Sequence, residues 1–354
     1  MNPRTRQFYG ALGVGRRAVL ALALGLGALS ALPAPASAQG EKVTVAVLPL
    51  SSSAPIFIAH KRGYFSQEGL NAELRSFSAA QQVPVAVTSG DADFGITGLT
   101  AGFYNLAAKG TVKIVAAQSR EEPGYQLSAY LATKAAYDAG FTTPAQFKGK
   151  RVATTTAGST FHYMFGLLAE KYGFSTKDIQ MVPLQDVPKM VAAFKGGQVE
   201  GMIAPVTVAR QLEAEGSARI LGWVGDVTPW QLGALFTSPE TIRTRRATVE
   251  KFVRAYQRGA ADYNNAFNVK DTTGQPGKGP GYDELLAIIA EATKQKPELV
   301  AVSLPFIDPQ GRLLVDDVVR QTKFWQAEGQ VDKALDPLST VDLSFVNGHL
   351  LTQK

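Results

Sequence analysis

Cysteine is absent from all 354 residues. That excludes disulfides, thiolate metal sites and cysteine nucleophiles. Histidine is scarce: His60, His162 and His349 stand far apart, with no HxxxH pair to hold zinc. No G-x-S-x-G nucleophile turn occurs. Beyond residue 38, no apolar run approaches the roughly 18 residues of a membrane-spanning helix. Neither metal nor cofactor is expected from this inventory.

The first 38 residues read as an export signal rather than as part of the fold. Arg4, Arg6, Arg16 and Arg17 form a basic stretch without an acid. Val19 to Leu32 is apolar or small, and Ala36-Ser37-Ala38 is a small-x-small cleavage pattern. Cleavage is expected near Ala38, which places the product in the periplasm. Arg16-Arg17 leaves the twin-arginine and general routes both open. Removing the four arginines lowers the formal charge from +6 to +2. The high isoelectric point is then largely a property of the leader, and nucleic-acid binding has no support.

What is present is alternation. Short apolar runs near 43–47, 72–77, 94–97 and 112–117 alternate with helical patterns at 55–65, 82–89 and 101–108. The pattern restarts: strands near 151–154, 179–182, 201–204 and 219–223, helices near 159–172, 187–195 and 205–214. This is the signature of an α/β chain with mostly parallel sheets covered on both faces. After Pro239 four helices are expected, at 249–267, 282–293, 316–328 and 341–351. Between the first two, Thr272 to Gly281 is rich in glycine. Gly279 follows Lys278 where a phosphate loop needs Ser or Thr, so the stretch reads as a surface loop.

A weak internal repeat relates Val85–Asp93 to Ala192–Glu200. Each is a helix end, a glycine and an acid, followed by a strand. Two half-chains with one motif point to two similar lobes. Asp91 and Asp93 do not make a calcium loop: counting from Asp91, position 6 is Ile96 and position 12 is Gly102. Residues two apart at a strand start face opposite ways, so they do not form a catalytic pair either. Gly90 ending a helix and Asp93 leading into a strand is the simpler reading.

Ligands of open parallel sheets gather at the carboxyl ends of the strands. Three hydroxyl- and glycine-rich turns fall there: Ser51-Ser52-Ser53, Thr97-Gly98-Leu99-Thr100 and Ala157-Gly158-Ser159-Thr160. Such turns at helix N-termini suit anions.

The run from Pro55 through Ala59, Gly63-Tyr64-Phe65 and Glu68-Gly69-Leu70 resembles the opening of ABC-importer substrate-binding proteins of the sulfonate/nitrate/taurine, NMT1/THI5-like group. Ser89-Gly90-Asp91-Ala92-Asp93 and Gly158-Ser159-Thr160-Phe161-His162-Tyr163 are similar to two further motifs of that group, in the same order. The resemblance implies a two-lobe periplasmic-binding-protein fold of the two-crossover kind. Residues 41–126 with 231–354 would form lobe 1, and 127–230 lobe 2. Crossing strands would fall near 126–131 and 232–236. It implies a non-enzymatic receptor, expected as a monomer, that hands a small organic anion to a membrane permease and its ATPase. Sulfonate-type members carry a tryptophan- and Asp-Pro-bearing stretch where Met202–Val206 here is apolar and uncharged, keeping only Pro205. That leaves room for an aromatic carboxylate or a thiamine-precursor pyrimidine as the cargo. An exported hydrolase is the rival class.

Candidate ligand contacts are Ser52, Ser53, Thr97 and Gly98 in the first half, and Gly158, Ser159, Thr160 and Pro205 in the second. Each also reads as an ordinary turn or cap residue. Gln81 and Gln82 offer amides but equally face solvent. His162 is either a ligand contact or a structural group one turn into its helix. Arg120 would neutralise an anion or form an ion pair. Trp223 and Asp226 would wall the cleft near the return crossing, or simply pack there.

Overall fold

Two five-stranded sheets, built to one plan, organise the chain. The computed structural model describes residues 40–272, 274 and 276–350. The export segment expected at 1–38, together with Thr273, Gln275 and Leu351, lies outside the described residues.

The chain begins with β1 (Glu41–Val47), α1 (Ala54–Lys61), α2 (Tyr64–Gln67), β2 (Leu70–Ser76) and α3 (Gln82–Ser89). It continues through β3 (Phe94–Gly98), α4 (Ala101–Ala108), β4 (Lys113–Ala117) and the short β5 (Arg120–Glu121). Next come β6 (Ser128–Thr133), α5 (Lys134–Asp138), β7 (Arg151–Thr154), α6 (Thr160–Tyr172) and β8 (Gln180–Pro183). Then follow α7 (Val187–Lys195), β9 (Gly201–Pro205), α8 (Val206–Ala214), β10 (Ala218–Trp223) and α9 (Val224–Val227). Strands β11 (Trp230–Gln231) and β12 (Gly233–Thr237) precede the helical remainder: α10 (Pro239–Thr244), α11 (Arg246–Phe267), α12 (Tyr282–Thr293), α13 (Pro297–Ala301) and α14 (Val315–Ala327).

The first sheet has the order β2-β1-β3-β12-β4, and the second, read from its other edge, β8-β7-β9-β6-β10. In each, one strand opposes the rest: β12 in the first and β6 in the second. These are the strands that follow each passage between sheets. The passages themselves pair as an antiparallel ribbon of β5 and β11, with Trp230 opposite Glu121 and Gln231 opposite Arg120. The crossing therefore lies a few residues before the positions expected near 126–131 and 232–236, which belong mainly to β6 and β12.

The repeat seen in the sequence is structural. Gly90 and Gly197 each adopt a left-handed conformation, with φ of 81° and 68°, after α3 and α7. Each releases the chain into the central strand of its sheet. The C-terminal helices pack on the first sheet. Phe252 of α11 stacks on Phe94 of β3, with ring centroids 3.9 Å apart. Helices α11 and α1 approach closely at Gly259, where a Cβ would lie 2.2 Å from the Pro55 carbonyl oxygen.

Helix α14 lies behind the ribbon and touches both halves. Its buried Asp317 accepts from Gln231 N at 2.8 Å and from Tyr163 Oη of α6 at 3.2 Å. Gln321 donates to the Gln231 carbonyl at 2.7 Å and accepts from Tyr104 Oη of α4 at 3.3 Å.

One expected helix does not form. Residues 341–350 are irregular, with a single 3-10 turn at Leu343–Phe345. Val341 forms a bridge with Ile114 at β4, and Leu350 one with Leu314. Pairing with neighbouring backbone, and the turn at Gly348 (φ 81°), override the helical spacing of the apolar residues. The stretch around Lys278 is an exposed loop, as expected.

Candidate ligand-binding site

The carboxyl ends of β1, β3 and β4 converge in the first sheet. Ser53 is fully buried at the start of α1, and Ser52 is buried beside it. Gln118, one residue past β4, donates from Nε2 to Ser53 Oγ at 3.5 Å. Thr97 and Gly98 close β3, in register with Ala234 and Gly233. Gly233 is the residue that lets this cluster close. A Cβ there would sit 1.9 Å from Gln118 Oε1 and 2.5 Å from the Thr97 carbonyl oxygen.

Several polar atoms of this cluster are buried without a partner. Thr97 Oγ1, Gln118 Oε1 and Ser119 Oγ accept or donate no hydrogen bond among the described residues. At the end of β7 in the other sheet, Thr154 Oγ1 is in the same state. Leaving such a group unpaired costs about 1–3 kcal/mol, so groups of them mark places meant for another partner.

The turn after β7 meets the turn after β3. The Gly158 carbonyl accepts from Ala101 N at 3.0 Å. A Cβ on Gly98 would touch the Thr160 methyl at 3.1 Å. Ser159 caps α6 by accepting from His162 N at 3.3 Å, and Thr100 caps α4 by accepting from Phe103 N at 3.2 Å. Two capped helix N-termini, one from each half, thus face each other across the contact.

Arg120, the cation next to this cluster in sequence, is already paired. It follows the cluster on the ribbon, buried, and pairs with Glu122 at 2.8 Å. Its guanidinium also lies 4.6 Å over the Phe306 ring. Burial pushes its pKa below the usual arginine value, against the pull of Glu122. What the site offers is hydroxyls, one amide and backbone N–H groups.

The structure therefore gathers Ser52, Ser53, Thr97, Gly98, Gly158, Ser159 and Thr160, with Arg120 alongside. It disperses others. Gln81 and Gln82 are exposed on an open depression along α3, with Phe77, Val85 and Asp91. Gln82 Oε1 is taken by Ser78 N and Ala79 N, both at 3.2 Å. His162 turns beneath the 157–160 turn instead of into the cleft. Its Nδ1 accepts from Gly158 N at 3.2 Å, and its ring meets Phe324 and Trp325 of α14 edge-on. Pro205, Trp223 and Asp226 sit beside the ribbon on the second sheet. Pro205 pairs with Ser128, the Arg210 guanidinium lies 5.2 Å over Trp223, and Asp226 accepts from Gly124 N at 3.1 Å. Gln118, Ser119 and Thr154 were not singled out in the sequence. The rule that found Thr97, applied to the ends of β4 and β7, reaches all three.

Solved structures share this architecture. The periplasmic aliphatic sulphonate-binding protein SsuA from Escherichia coli is 17% identical, over 89% of this chain and 96% of its own, with a TM-score of 0.68. The alkanesulfonate-binding protein SsuA from Xanthomonas axonopodis pv. citri, solved bound to MOPS, is 18% identical over 86% and 99%, with a TM-score of 0.65. The periplasmic nitrate-binding protein NrtA from Synechocystis PCC 6803 is 14% identical over 84% of each chain, with a TM-score of 0.62. The fold is thus the two-lobe periplasmic-binding-protein fold with two crossing strands. Curated protein sequences gave no match. The NMT1/THI5-like family profile matches residues 51–266, and the chain belongs to that family.

Proposed function

We propose that this protein is the extracytoplasmic solute receptor of an ABC importer. It captures a small organic anion of the sulfonate, taurine or nitrate type between two lobes and presents it to a permease and its ATPase. The observation that carries the reading is the pair of buried, unpartnered hydroxyls Thr97 Oγ1 and Ser119 Oγ, both able to donate to an anion, placed where strands of an open sheet end. The facing helix N-termini at Thr100 and Ser159 add partial positive charge without a formal cation, a setting that holds anions. Solved relatives of this fold carry sulfonates and nitrate by name. No helix among the described residues is long and apolar enough to cross a membrane, consistent with a receptor that meets the membrane only through its permease.

The hydrolase reading gains a third member in Glu328, whose carboxylate lies 3.6 Å from His162 Nε2. The trio is not arranged for attack. The other ring nitrogen is occupied by Gly158 N–H, and Ser159 Oγ is engaged by the helix cap.

A thermal-shift screen of the protein starting at Gln39 tests the proposal. The panel holds alkyl sulfonates, taurine, nitrate, aromatic carboxylates and pyrimidines. A compound at about 100 times its dissociation constant adds roughly 2.7 kcal/mol of stability. A response to sulfonates or nitrate supports the anion reading. A response confined to pyrimidines replaces the ligand class, and no response from refolded protein overturns the receptor reading.

A further inference from the structure

Gly158 joins the two halves of the molecule through its own backbone. Its carbonyl accepts from Ala101 N of the first half at 3.0 Å. Its N–H donates to His162 Nδ1 of the second half at 3.2 Å. The residue is left-handed, with φ of 78°, and tightly enclosed: a Cβ would lie 2.6 Å from Gln330 Oε1 and 3.1 Å from the Ala101 Cβ.

We infer that His162 is a positioning residue for the proposed site, holding the Gly158–Thr160 turn in place through the Gly158 N–H. The significance for binding rests on the receptor reading above; the contact itself does not. The ring is well fixed for this task. Phe324 and Trp325 bracket it edge-on, with centroids at 5.7 and 5.4 Å. Glu328 stands behind Nε2 at 3.6 Å and is itself held by Thr176 Oγ1 at 2.6 Å. An imidazole that accepts at Nδ1 carries its proton on Nε2, and that is the nitrogen facing the carboxylate. Burial also opposes the imidazolium, so the accepting form persists. The chain of contacts runs Thr176, Glu328, His162, Gly158, Ala101. It ends on the turn that carries Ser159 and Thr160 toward Gly98.

The test uses the full folded chain, first without any added compound. Nitrogen-15 NMR of the imidazole reads which ring nitrogen bears the proton, and hydrogen exchange reads the Gly158 amide. The expected tautomer has the proton on Nε2. In His162→Leu, which keeps the apolar packing, Gly158 exchange should quicken by roughly five- to tenfold. In His162→Asn the amide oxygen replaces Nδ1 and protection should return, while Leu167 and Leu168 amides stay unchanged throughout. Affinity for taurine and ethanesulfonate should fall in the Leu variant and recover in the Asn variant. A proton on Nδ1, or unchanged Gly158 exchange in the Leu variant, overturns the inference. Altered exchange with unaltered affinity for a bound probe also overturns it, leaving His162 a purely structural group. If neither probe binds wild type, the receptor reading loses its anion class, while the exchange data still decide the contact.

Discussion

Asp93 and Glu200 occupy equivalent places in the two sheets and do the same work. Asp93 Oδ2 accepts from Thr44 N at 2.7 Å, and its own N–H donates to the Thr44 carbonyl at 2.9 Å. Glu200 Oε2 accepts from Arg151 N at 3.1 Å, and its N–H donates to the Arg151 carbonyl at 2.7 Å. Each acid stands one residue before a central strand and closes the first backbone pair with its neighbour. Each also takes a cation, Arg245 for Asp93 and Lys150 for Glu200. The acid ending each copy of the sequence repeat is therefore a strand-starting clamp.

Removing the clamp has a measurable cost. Asp93→Ala leaves Thr44 N–H without its side-chain acceptor and takes one of two carboxylate partners from Arg245, which keeps Glu41. A loss of about 1–3 kcal/mol is expected in urea unfolding. Glu200→Ala should cost less, because Glu200 is the more exposed of the two, with 42% side-chain exposure against 24%. Absent losses would remove the clamp argument, and equal losses would remove the ranking by exposure.

How much of this was legible beforehand follows from range. Gly90 and Ser159 act on their own helix ends, and short spacing reveals them. The α/β alternation gave the class, and the family resemblance gave the two-lobe plan. The ring direction of His162 was not legible. A motif says that a histidine is present one turn into a helix, but packing from Phe324 and Trp325, far along the chain, decides where the ring goes. Gln82, which offered either a ligand amide or a solvent-facing one, is exposed, and its amide oxygen is taken by its close neighbours Ser78 and Ala79. The tail at 341–350 has helical spacing, yet its backbone finds partners at Ile114 and Leu314 instead.

Gly233 is expected to tolerate no side chain. In Gly233→Ala the new methyl would meet Gln118 Oε1 and the Thr97 carbonyl, and the latter is backbone that cannot swing away. Overpacking of this kind costs about 1–3 kcal/mol. The variant should unfold earlier and lose whatever ligand response the wild type shows. Retained response with wild-type stability would mean that the cluster is looser than the contacts imply.

Glu121 makes stability fall with rising pH. Its carboxyl is fully buried in the ribbon, accepting from Ser128 N at 3.2 Å, and burial raises its pKa from 4.5 to about 8. The fold therefore prefers the protonated acid. Stability from this group is complete below the unfolded value. It declines as pH rises, because the unfolded chain releases the proton first, and levels off above the folded value. The full decline is about 5 kcal/mol. Glu121→Gln keeps an acceptor for Ser128 N–H and cannot ionise. Unfolding free energies at pH 5 and pH 9 should differ less in the variant than in the wild type. An identical difference would show that Glu121 is not the group responsible.

The unpartnered hydroxyl of Thr97 gives the sharpest test of a site as opposed to a core. A buried threonine that serves only packing should tolerate valine, with little change in any property. A threonine kept for a ligand behaves differently. In Thr97→Val the Oγ1 that meets no partner is replaced by a methyl of similar volume, so the desolvation cost of the hydroxyl disappears. The free protein should gain about 1 kcal/mol of stability. The same change removes one of the groups proposed to meet the bound molecule, so the thermal response to a ligand found in the panel should shrink or vanish. Greater stability with weaker binding is the joint outcome expected from a residue retained for function. Lower stability would instead reveal a partner for Oγ1 within the fold, and an undiminished ligand response would move the contact away from the end of β3.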